Sequence, residues 1–279
     1  MRRLLPSVVE VDAGLRTIRI GQLGRRMIEA QVQSTATGAI VFDRVLRVAP
    51  DGTWFDHAHW SAPGKPDARS GGRGAIAFVD TPVGTCALRH YHRGGLAARV
   101  SADQYLWTGA ARTRAFREFR LLAHLVGLGL PVSSPVAARY VRDGLRYRAD
   151  LLTRRINGAQ TLADRLAQDC LGLLLAQRVG RTIARLHAAN VWHADLNAHN
   201  ILIDGNDAVW LIDFDRGRLR KPKLAWQQAN LARLRRSMDK LGAKRVQDFD
   251  AKFWHPLLAA YHGALSHIRV AAAPRGAAS

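Results

Sequence analysis

The sequence predicts an α+β protein with a β-rich N-terminal half and a mainly helical C-terminal half. Apolar runs of strand length, separated by Gly, Pro and Asp, dominate the chain up to about residue 110. Apolar residues at three- and four-residue spacing then indicate helices. Two short apolar runs around a Gly/Asn/Asp turn predict a hairpin within the helical half. We place the domain boundary at 155/156, which gives an N-terminal domain over 1–155 and a C-terminal domain over 156–279.

Turn residues and apolar spacing define the elements of the N-terminal half. The helix is indicated by Phe116, Phe119, Leu122 and Leu125, which share one face at intervals of three. In chain order the predicted elements are a Gly-rich turn at 70–74, strands at 75–79 and 85–91, a helix at 113–125, and strands at 136–141 and 145–153.

The C-terminal half begins with a second predicted helix. It starts at Thr161, because Thr161 and Asp164 have the spacing of a capping box. Its core section places Leu175, Val179, Ile183 and Leu186 on one face. The predicted hairpin pairs 201–203 with 209–212.

Composition limits the classes of function. The 279 residues carry 42 Lys and Arg against 22 Asp and Glu, a net charge of +20. This excess of positive charge predicts an anionic partner: nucleic acid, a phosphorylated substrate or an acidic membrane surface. An apolar content of 48% argues against a disordered basic tail. The two cysteines, Cys86 and Cys170, exclude a disulfide framework and suit a reducing compartment.

The sequence has no obvious segment for crossing or leaving a membrane. The longest stretch without charge, 121–138, contains two glycines and two prolines and does not suit a spanning helix. The N-terminus lacks the apolar core and cleavage site of a signal peptide. We therefore expect a cytoplasmic protein.

Three oxygen-bearing side chains are predicted to meet at one end of the hairpin. Asn200 enters it and Asp213 leaves it, so the two should lie side by side. Asp195 lies on the loop that leads in. Carboxylate and amide oxygens are the ligands that Mg²⁺ prefers. The alternative is a structural hairpin whose Asp and Asn side chains only cap turns.

The spacing of Asp195, Asn200 and Asp213 favours a catalytic site over a structural hairpin. His-x-Asp, then Asn five residues after the Asp, then Asp-Phe after a hairpin is the catalytic pattern of the protein-kinase-like fold. In that pattern Asp195 orients or deprotonates the acceptor hydroxyl, and Asn200 and Asp213 hold Mg²⁺. We therefore predict a two-lobed kinase-like enzyme that uses ATP and Mg²⁺.

Upstream residues fit a nucleotide-binding half. Gly72 and Gly74 begin a Gly-rich pattern that departs from the kinase form at Ala77, and glycines let a backbone approach phosphates closely. No Lys lies between Lys65 and Lys221, so Arg89 takes the position of the strand Lys that contacts phosphates. Glu118 is the only Glu after Glu29, and we predict that it pairs with Arg89. The alternative is two solvated surface charges.

Three segments carry a resemblance to a known family. They are Leu88-Arg89-His90-Tyr91-His92-Arg93-Gly94-Gly95-Leu96, His193-Ala194-Asp195-Leu196-Asn197-Ala198-His199-Asn200-Ile201-Leu202 and Leu211-Ile212-Asp213-Phe214-Asp215-Arg216. Together they resemble the 3-deoxy-D-manno-octulosonic acid (Kdo) kinases of lipopolysaccharide biosynthesis.

The resemblance implies ATP-dependent phosphorylation of the 4-hydroxyl of Kdo on a lipid A precursor. It implies a peripheral protein on the cytoplasmic face of the Gram-negative inner membrane, with Asp195 as base and Asn200 and Asp213 as metal ligands. Ala194 departs from the protein-kinase pattern and argues against control by a phosphorylated activation loop, and Asn197 argues for a small-molecule or glycan acceptor. No activation segment ending in Ala-Pro-Glu follows Asp213, which argues against protein substrates. Asp215 replaces a Gly of that pattern, and its role stays open between metal binding, turn capping and pairing with Arg216.

The basic tail from Lys221 suggests three roles. Its Lys and Arg residues, Arg233 among them, alternate with Trp226, Leu231, Leu234 and Leu241. This pattern suits an interfacial helix on acidic lipid, contacts with the phosphates and the Kdo carboxylate of the acceptor, or a helix covering the second domain. We expect no nucleic-acid partner, since no such motif is present, and no obligate protein partner is evident. The His-x-His pairs His57/His59 and His90/His92 lack companion ligands for zinc.

Other functions stay open at this point. The acceptor could be a core heptose or an unrelated small molecule such as an aminoglycoside. The chain could also be a non-catalytic kinase-like scaffold on acidic membranes, or a basic nucleic-acid-binding module. The intact set Asp195, Asn200 and Asp213 argues against the last two.

Overall fold

A computed structural model describes residues 18–20, 27–60, 76–92 and 103–272, with side chains given from residue 27 to residue 270. Contacts divide the chain into two compact units. Among the described residues, the first unit comprises those up to Gly129 together with Ser133–Arg155, and the second comprises Leu130–Val132 and the residues from Ile156 onward.

The first unit is a β-sheet with one long helix, as the predicted α+β class requires. Its elements are β1 (Ile18–Ile20), β2 (Ile28–Thr35), β3 (Gly38–Asp43), α1 (His57–Trp60), β4 (Ile76–Thr81), β5 (Gly84–His90), β6 (Tyr105–Leu106), α2 (Arg114–Gly127), β7 (Pro135–Asp143) and β8 (Arg146–Arg154). The predicted strands and helix of this half are confirmed within a few residues at each end. The predicted Gly-rich turn lies outside the described residues.

The eight strands form one antiparallel sheet in the order β1-β2-β3-β7-β8-β5-β4, with β6 paired to β8. The register places Arg89 opposite Leu151 and His90 opposite Asp150. Because neighbouring residues of a strand point to opposite faces, Arg89 and His90 serve different sides of the sheet.

The two faces of this sheet are packed against different segments of the chain. The helix α2 packs on β7, β8 and β2 and buries Phe116 and Phe119 completely. The face of β5 that carries Cys86 and Leu88 packs against Trp54 and Phe55, from the segment before α1. The side chain of Arg89 therefore points to the α2 side.

The second unit is mainly helical, with two small β pairings around the hairpin. Its elements are β9 (Gln160–Thr161), α3 (Leu162–Ala167), α4 (Leu173–Ala188), β10 (Val191–Trp192), β11 (Ile201–Ile203), β12 (Val209–Leu211), β13 (Arg218–Leu219), α5 (Leu224–Lys240) and α6 (His255–Ala272). The predicted hairpin is confirmed, because β11 and β12 pair antiparallel with Ile201 opposite Leu211. No helix in the described ranges is long and apolar enough to cross a membrane.

The single helix predicted from Thr161 is wrong, because the chain forms two helices there. The capping box of Thr161 and Asp164 is present and starts α3. The chain then turns at Asp169, which adopts a left-handed φ of 53°, and α4 starts after Gly172. A left-handed residue cannot continue a right-handed helix, so the break is local.

The helices α4 and α6 approach each other closely at Gly180. A Cβ atom on Gly180 would lie 2.2 Å from the backbone oxygen of Leu257, so only glycine permits this contact. Val179, Ile183 and Leu186 are fully buried, as predicted for one helical face.

The apolar residues of the basic tail divide between the core and the surface. Trp226, Leu231 and Leu234 of α5 are buried in the core of the second unit, whereas Leu241, which follows α5, is 39% exposed. The three buried side chains stabilise the fold because they are removed from water, as expected for a helix that covers this unit. Contact of the tail with lipid stays a prediction.

Candidate active site

Arg89 and Glu118 form the ion pair predicted from the sequence. The guanidinium of Arg89 on β5 donates from Nη2 to Glu118 Oε2 on α2. The Tyr91 hydroxyl donates to the same oxygen at 2.6 Å, and the Arg89 guanidinium lies 4.7 Å from the Tyr91 ring. Glu118 is only 3% exposed. A buried carboxylate with these two donors fixes the direction of the Arg89 side chain.

The position of Tyr91 follows from strand alternation. Tyr91 lies two residues after Arg89, so both point to the α2 face. Burial raises the pKa of Tyr91 well above its usual value, and the neighbouring Glu118 carboxylate adds to the effect. The hydroxyl therefore stays protonated and acts as a donor. Period-two spacing in the segment Arg89-His90-Tyr91 could have indicated this third member.

The opposite face of β5 carries a second polar group that the sequence did not reveal. His90 Nδ1 lies 2.6 Å from Asp150 Oδ1, and Arg139 Nε donates to Asp150 Oδ2 at 2.8 Å. The hydrogen bond with Asp150 raises the pKa of His90, although desolvation acts the other way. Asp150 is buried, so the Arg139 guanidinium and the hydrogen bond with His90 compensate its charge.

Gly72 and Gly74 lie outside the described residues. Their assignment to phosphate binding stays a prediction from the sequence pattern.

In the second unit, His193 holds the loop that carries Asp195. The Asp195 backbone N–H donates to His193 Nδ1 at 3.1 Å, and His193 Nε2 lies 2.9 Å from the backbone oxygen of Ile212. Because Nδ1 accepts, the ring carries its proton on Nε2 and is neutral. Burial lowers the pKa of His193, which favours this neutral form. The imidazole thus ties the Asp195 loop to the end of the hairpin, one residue before Asp213.

Both carboxylate oxygens of Asp195 have hydrogen-bond partners. Asn197 Nδ2 donates to Oδ2 at 3.0 Å, and Arg233 Nη1 of α5 donates to Oδ1 at 3.2 Å. Asn197 also accepts from the backbone N–H groups of His199 and Asn200, so it caps the short 3₁₀ turn that follows. No sequence pattern places Arg233 beside Asp195, because it lies 38 residues later in the chain and only folding brings them together.

Asn200 and Asp213 lie side by side at the open end of the hairpin. The Ile212 N–H donates to the Asn200 backbone oxygen at 3.1 Å. Asn200 therefore lies opposite Ile212, the residue that precedes Asp213. The Asn200 side-chain NH₂ donates to the Asp195 backbone oxygen at 2.9 Å, and this bond fixes the orientation of the amide. Asp213 adopts a left-handed φ of 61°, a strained conformation for a non-glycine residue and one that is common at functional sites.

The donor set fits Mg²⁺. The Asn200 NH₂ group donates to the Asp195 backbone oxygen, so the amide oxygen points away from that contact, and Asp213 comes one residue after Ile212, which is bonded to the Asn200 backbone. Mg²⁺ is usually held in nucleotide sites by one or two protein oxygens together with phosphate and water. The described residues contain no group of three or more His, Cys, Asp or Glu side chains placed to hold a metal ion by themselves.

Phe214 and Asp215 complete the segment. Phe214 is buried and its ring lies 4.7 Å from that of His193. The Asp215 N–H lies 3.4 Å from Asp213 Oδ1. Phe214 therefore anchors the strained Asp213 against the core of the unit.

A mixed fold with an antiparallel sheet and helical C-terminal part, together with an Asp, Asn and Asp set ordered in this way, defines a kinase-like protein. The sequence model of the lipopolysaccharide kinase (Kdo/WaaP) family matches residues 57–261. The chain belongs to this family.

Curated relatives agree with this assignment. A protein of Stenotrophomonas maltophilia (strain R551-3), named 3-deoxy-D-manno-octulosonic acid kinase, is 52% identical over 212 residues, which cover 76% of this chain and 84% of the relative. A protein of the same name from Xanthomonas campestris pv. campestris (strain B100) is 49% identical over 224 residues, or 80% and 89% of the two chains. A third, from Xanthomonas oryzae pv. oryzae (strain PXO99A), is 48% identical over 217 residues, or 77% and 86%.

Proposed function

We propose that this protein transfers the γ-phosphoryl group of ATP to the 4-hydroxyl of a Kdo residue on a Kdo–lipid A precursor. The hydroxyl oxygen forms a bond to the γ-phosphorus, and the bond from that phosphorus to the oxygen bridging the β-phosphate breaks. The hydroxyl proton passes to Asp195, and ADP leaves. The observation that carries the proposal is the junction of Asp195, Asn200 and Asp213 through His193 and the hairpin. The names of the relatives support Kdo as the acceptor sugar.

Asp195 is assigned the role of general base. Its carboxylate is half exposed, with 48% of the side chain accessible, so a substrate hydroxyl can reach it. The bond from Asn197 holds one oxygen and thereby sets the direction of the other. A base must lie within hydrogen-bond reach of the proton that it takes, and this arrangement fixes the carboxylate before the acceptor arrives.

Asn200 and Asp213 are assigned to Mg²⁺. When bound, the ion supplies positive charge to the phosphate oxygens of ATP. The protein's own contribution is to keep Asn200 and Asp213 at the same end of the hairpin, through the hairpin register and the buried Phe214.

Arg89 is assigned to the phosphates of ATP, with Glu118 and Tyr91 as positioning residues. A guanidinium stays charged at all relevant pH values and can donate two hydrogen bonds to phosphate. Its pair with the buried Glu118 limits the rotamers available to Arg89. Gly72 and Gly74 are assigned to the same phosphates on the strength of their sequence pattern alone.

We place the protein at the cytoplasmic face of the inner membrane. Between Asp215 and Asp239 the chain has no acidic residue, and the segment 216–223 carries five Lys or Arg residues. Leu219 and Leu224 beside them are 53% and 59% exposed. Exposed leucines among basic residues suit an acidic lipid surface, where the lipid-anchored acceptor lies.

Transfer of ³²P from labelled ATP tests the reaction. We expect label on the Kdo-bearing lipid A precursor in the presence of Mg²⁺ and none on the same lipid without Kdo. Label on a heptose-containing acceptor or an aminoglycoside instead would replace the acceptor but keep the reaction class. ATP binding without any transfer would contradict the proposal and favour a scaffold.

Asp195→Asn is expected to reduce transfer by about 100- to 10,000-fold, because it removes the base while keeping the shape of the side chain. ATP binding should persist, since Asn200 and Asp213 are unchanged. The control is Asp207→Asn, which alters another exposed carboxylate of the same unit that pairs with an arginine at 3.2 Å. Turnover by Asp195→Asn at the level of this control would refute the assignment of the base.

A further inference from the structure

The carboxylate of Asp195 is paired with a cation on a helix that follows the catalytic segment. Arg233 Nη1 lies 3.2 Å from Asp195 Oδ1, and both side chains are 48% exposed. Within the part of the chain that the structure describes, Asp195 is the only recorded partner of the Arg233 side chain. The guanidinium has five N–H donors, so most of its hydrogen-bonding capacity faces solvent beside the proposed base.

Three hydrogen bonds fix α5 against the catalytic loop on either side of Arg233. Asn230, three residues earlier, accepts from the His193 N–H at 3.3 Å and donates to the His193 oxygen at 2.8 Å. Ser237, four residues later, accepts from the Ala198 N–H at 3.1 Å. Residues at these spacings share one face of a helix. The position of Arg233 next to Asp195 is therefore set by the backbone of the loop on both sides.

The pair itself is a weak interaction that a substrate can replace. Exposed ion pairs contribute about 0–1 kcal/mol, because water solvates both charges. An incoming carboxylate could accept two parallel hydrogen bonds from the same guanidinium, which is the stronger geometry. Exchange of partner would also release Asp195 Oδ1 to accept the proton of the acceptor hydroxyl.

We propose that Arg233 binds the carboxylate of the acceptor sugar and so selects an acidic sugar and frees the base. The inference rests on the proposed function, because Kdo is an acid: its carboxylate at carbon 1 and the reacting hydroxyl at carbon 4 belong to one sugar ring. Arg233 is thus a specificity residue adjacent to the general base. Neutral heptoses lack the group that it recognises.

The test combines substitution of Arg233 with removal of the charge of the Kdo carboxylate. Initial rates are measured for the wild type, Arg233→Gln, Arg233→Lys and Arg178→Gln on two acceptors. One is the Kdo-bearing lipid A precursor, and the other is the same lipid with the Kdo carboxylate converted to its methyl ester. Arg178 is the matched control, because it pairs with Asp207 at 3.2 Å in the same unit at similar exposure. Thermal unfolding of each variant and the KM for ATP report on folding and on the nucleotide.

On the acid acceptor, Arg233→Gln is expected to raise the KM by about 10- to 100-fold, the range for a lost hydrogen bond to a charged group. Arg233→Lys should recover part of this loss, since it keeps the charge without the paired donors. On the ester, the wild type should already show the loss, and Arg233→Gln should add little. The KM for ATP should stay unchanged, and Arg178→Gln should behave as the wild type.

Two results would overturn the inference. An equal loss from Arg233→Gln on both acceptors would mean that Arg233 acts only on Asp195, and an unaffected wild-type KM for the ester would mean that the carboxylate is not recognised. Failure of the proposed function looks different: wild type and Arg178→Gln would then transfer phosphate to neither lipid, and this inference would fall with it.

Discussion

Glu118 connects Arg89, which is assigned to the phosphates of ATP, with Tyr91, which helps to position it. One oxygen of this buried carboxylate receives both the Arg89 guanidinium and the Tyr91 hydroxyl. Removal of its charge weakens the ion pair of the partly buried Arg89, which is costly where water has limited access. Glu118 therefore both stabilises the folded unit and orients the Arg89 side chain.

Glu118→Gln is expected to lower the free energy of unfolding by about 2 kcal/mol and to raise the KM for ATP about tenfold. The KM for the acceptor should not change. Chemical denaturation and steady-state kinetics measure these effects. The control is Glu29→Gln, whose pair with Arg44 is more exposed and should matter by less than about 1 kcal/mol. Equal effects of the two substitutions would contradict the role given to Glu118.

His187 makes the second unit sensitive to acid. Burial lowers the pKa of His187 to about 4, against 6.5 for an unperturbed ring. The ring is held neutral between the Tyr261 hydroxyl at 2.9 Å and the Asn230 oxygen at 3.3 Å. Between these two pKa values the unfolded chain binds a proton that the folded chain does not.

The contribution of His187 to the free energy of unfolding is therefore expected to be fully present above pH 6.5. It should decrease by on the order of 3 kcal/mol as the pH drops toward 4. His187→Gln should be less stable at pH 7 and show a shallower dependence over this window, with a remainder from the buried His193. Urea denaturation at a series of pH values measures both slopes. The exposed His199→Gln serves as control, and an unchanged slope for His187→Gln would disprove the assignment.

At the scale of elements, the catalytic segment depends on the helices packed behind it. The α4 helix contacts α6, and Asn230 of α5 bonds with His187 of α4 and with His193 of the loop. A shift of α4 or α5 would thus be transmitted to the residue that supports Asp195. At Gly180 this packing leaves no room for a Cβ atom.

Gly180→Ala is expected to destabilise the protein by about 1–3 kcal/mol, because the new methyl group collides with the backbone of α6. Gly263→Ala, in α6 itself, meets no atom within 4 Å and should be neutral or stabilising by up to about 1 kcal/mol. Thermal denaturation of the two variants makes the comparison. Similar melting temperatures would show that the helices separate at little cost.

At the scale of the whole molecule, the net charge of +20 predicts binding to acidic surfaces. The buried Trp226 and Leu234 of α5 leave this task to exposed groups, and the segment 216–224 offers basic side chains with two exposed leucines. Attraction of this kind weakens as salt is added, because exposed charges are screened.

The protein is expected to bind vesicles containing phosphatidylglycerol and not vesicles of phosphatidylcholine alone, with affinity that falls at high salt. Replacement of Lys221 and Lys223 by Gln should weaken binding about 30-fold, at about 1 kcal/mol per charge. Co-sedimentation measures this, with Lys240 and Lys244 replaced together as the control. An equal loss from the control pair would mean that overall charge, and not this segment, drives binding.

Much of the site could be predicted because its signals are local. Asp195, Asn200 and Asp213 lie within 19 consecutive residues around one hairpin, so spacing alone places them together. Arg89 and Glu118 could be paired across 29 residues because the composition left so few candidates. The helix break near Asp169 was missed, since the apolar spacing continues on both sides of it and a left-handed residue leaves little trace in sequence.

By itself, the sequence determined the α+β class, the hairpin and the identity of the chemical groups, because periodicity, turn residues and short spacings act along the chain. Only the tertiary structure decided which distant groups meet. Arg233 reaches Asp195 because Asn230 and Ser237 hold α5 on the loop, and Trp226 and Leu234 face the core because the rest of that unit covers them. Hydrogen bonds between remote segments and burial are properties of the packed chain, and no local pattern encodes them.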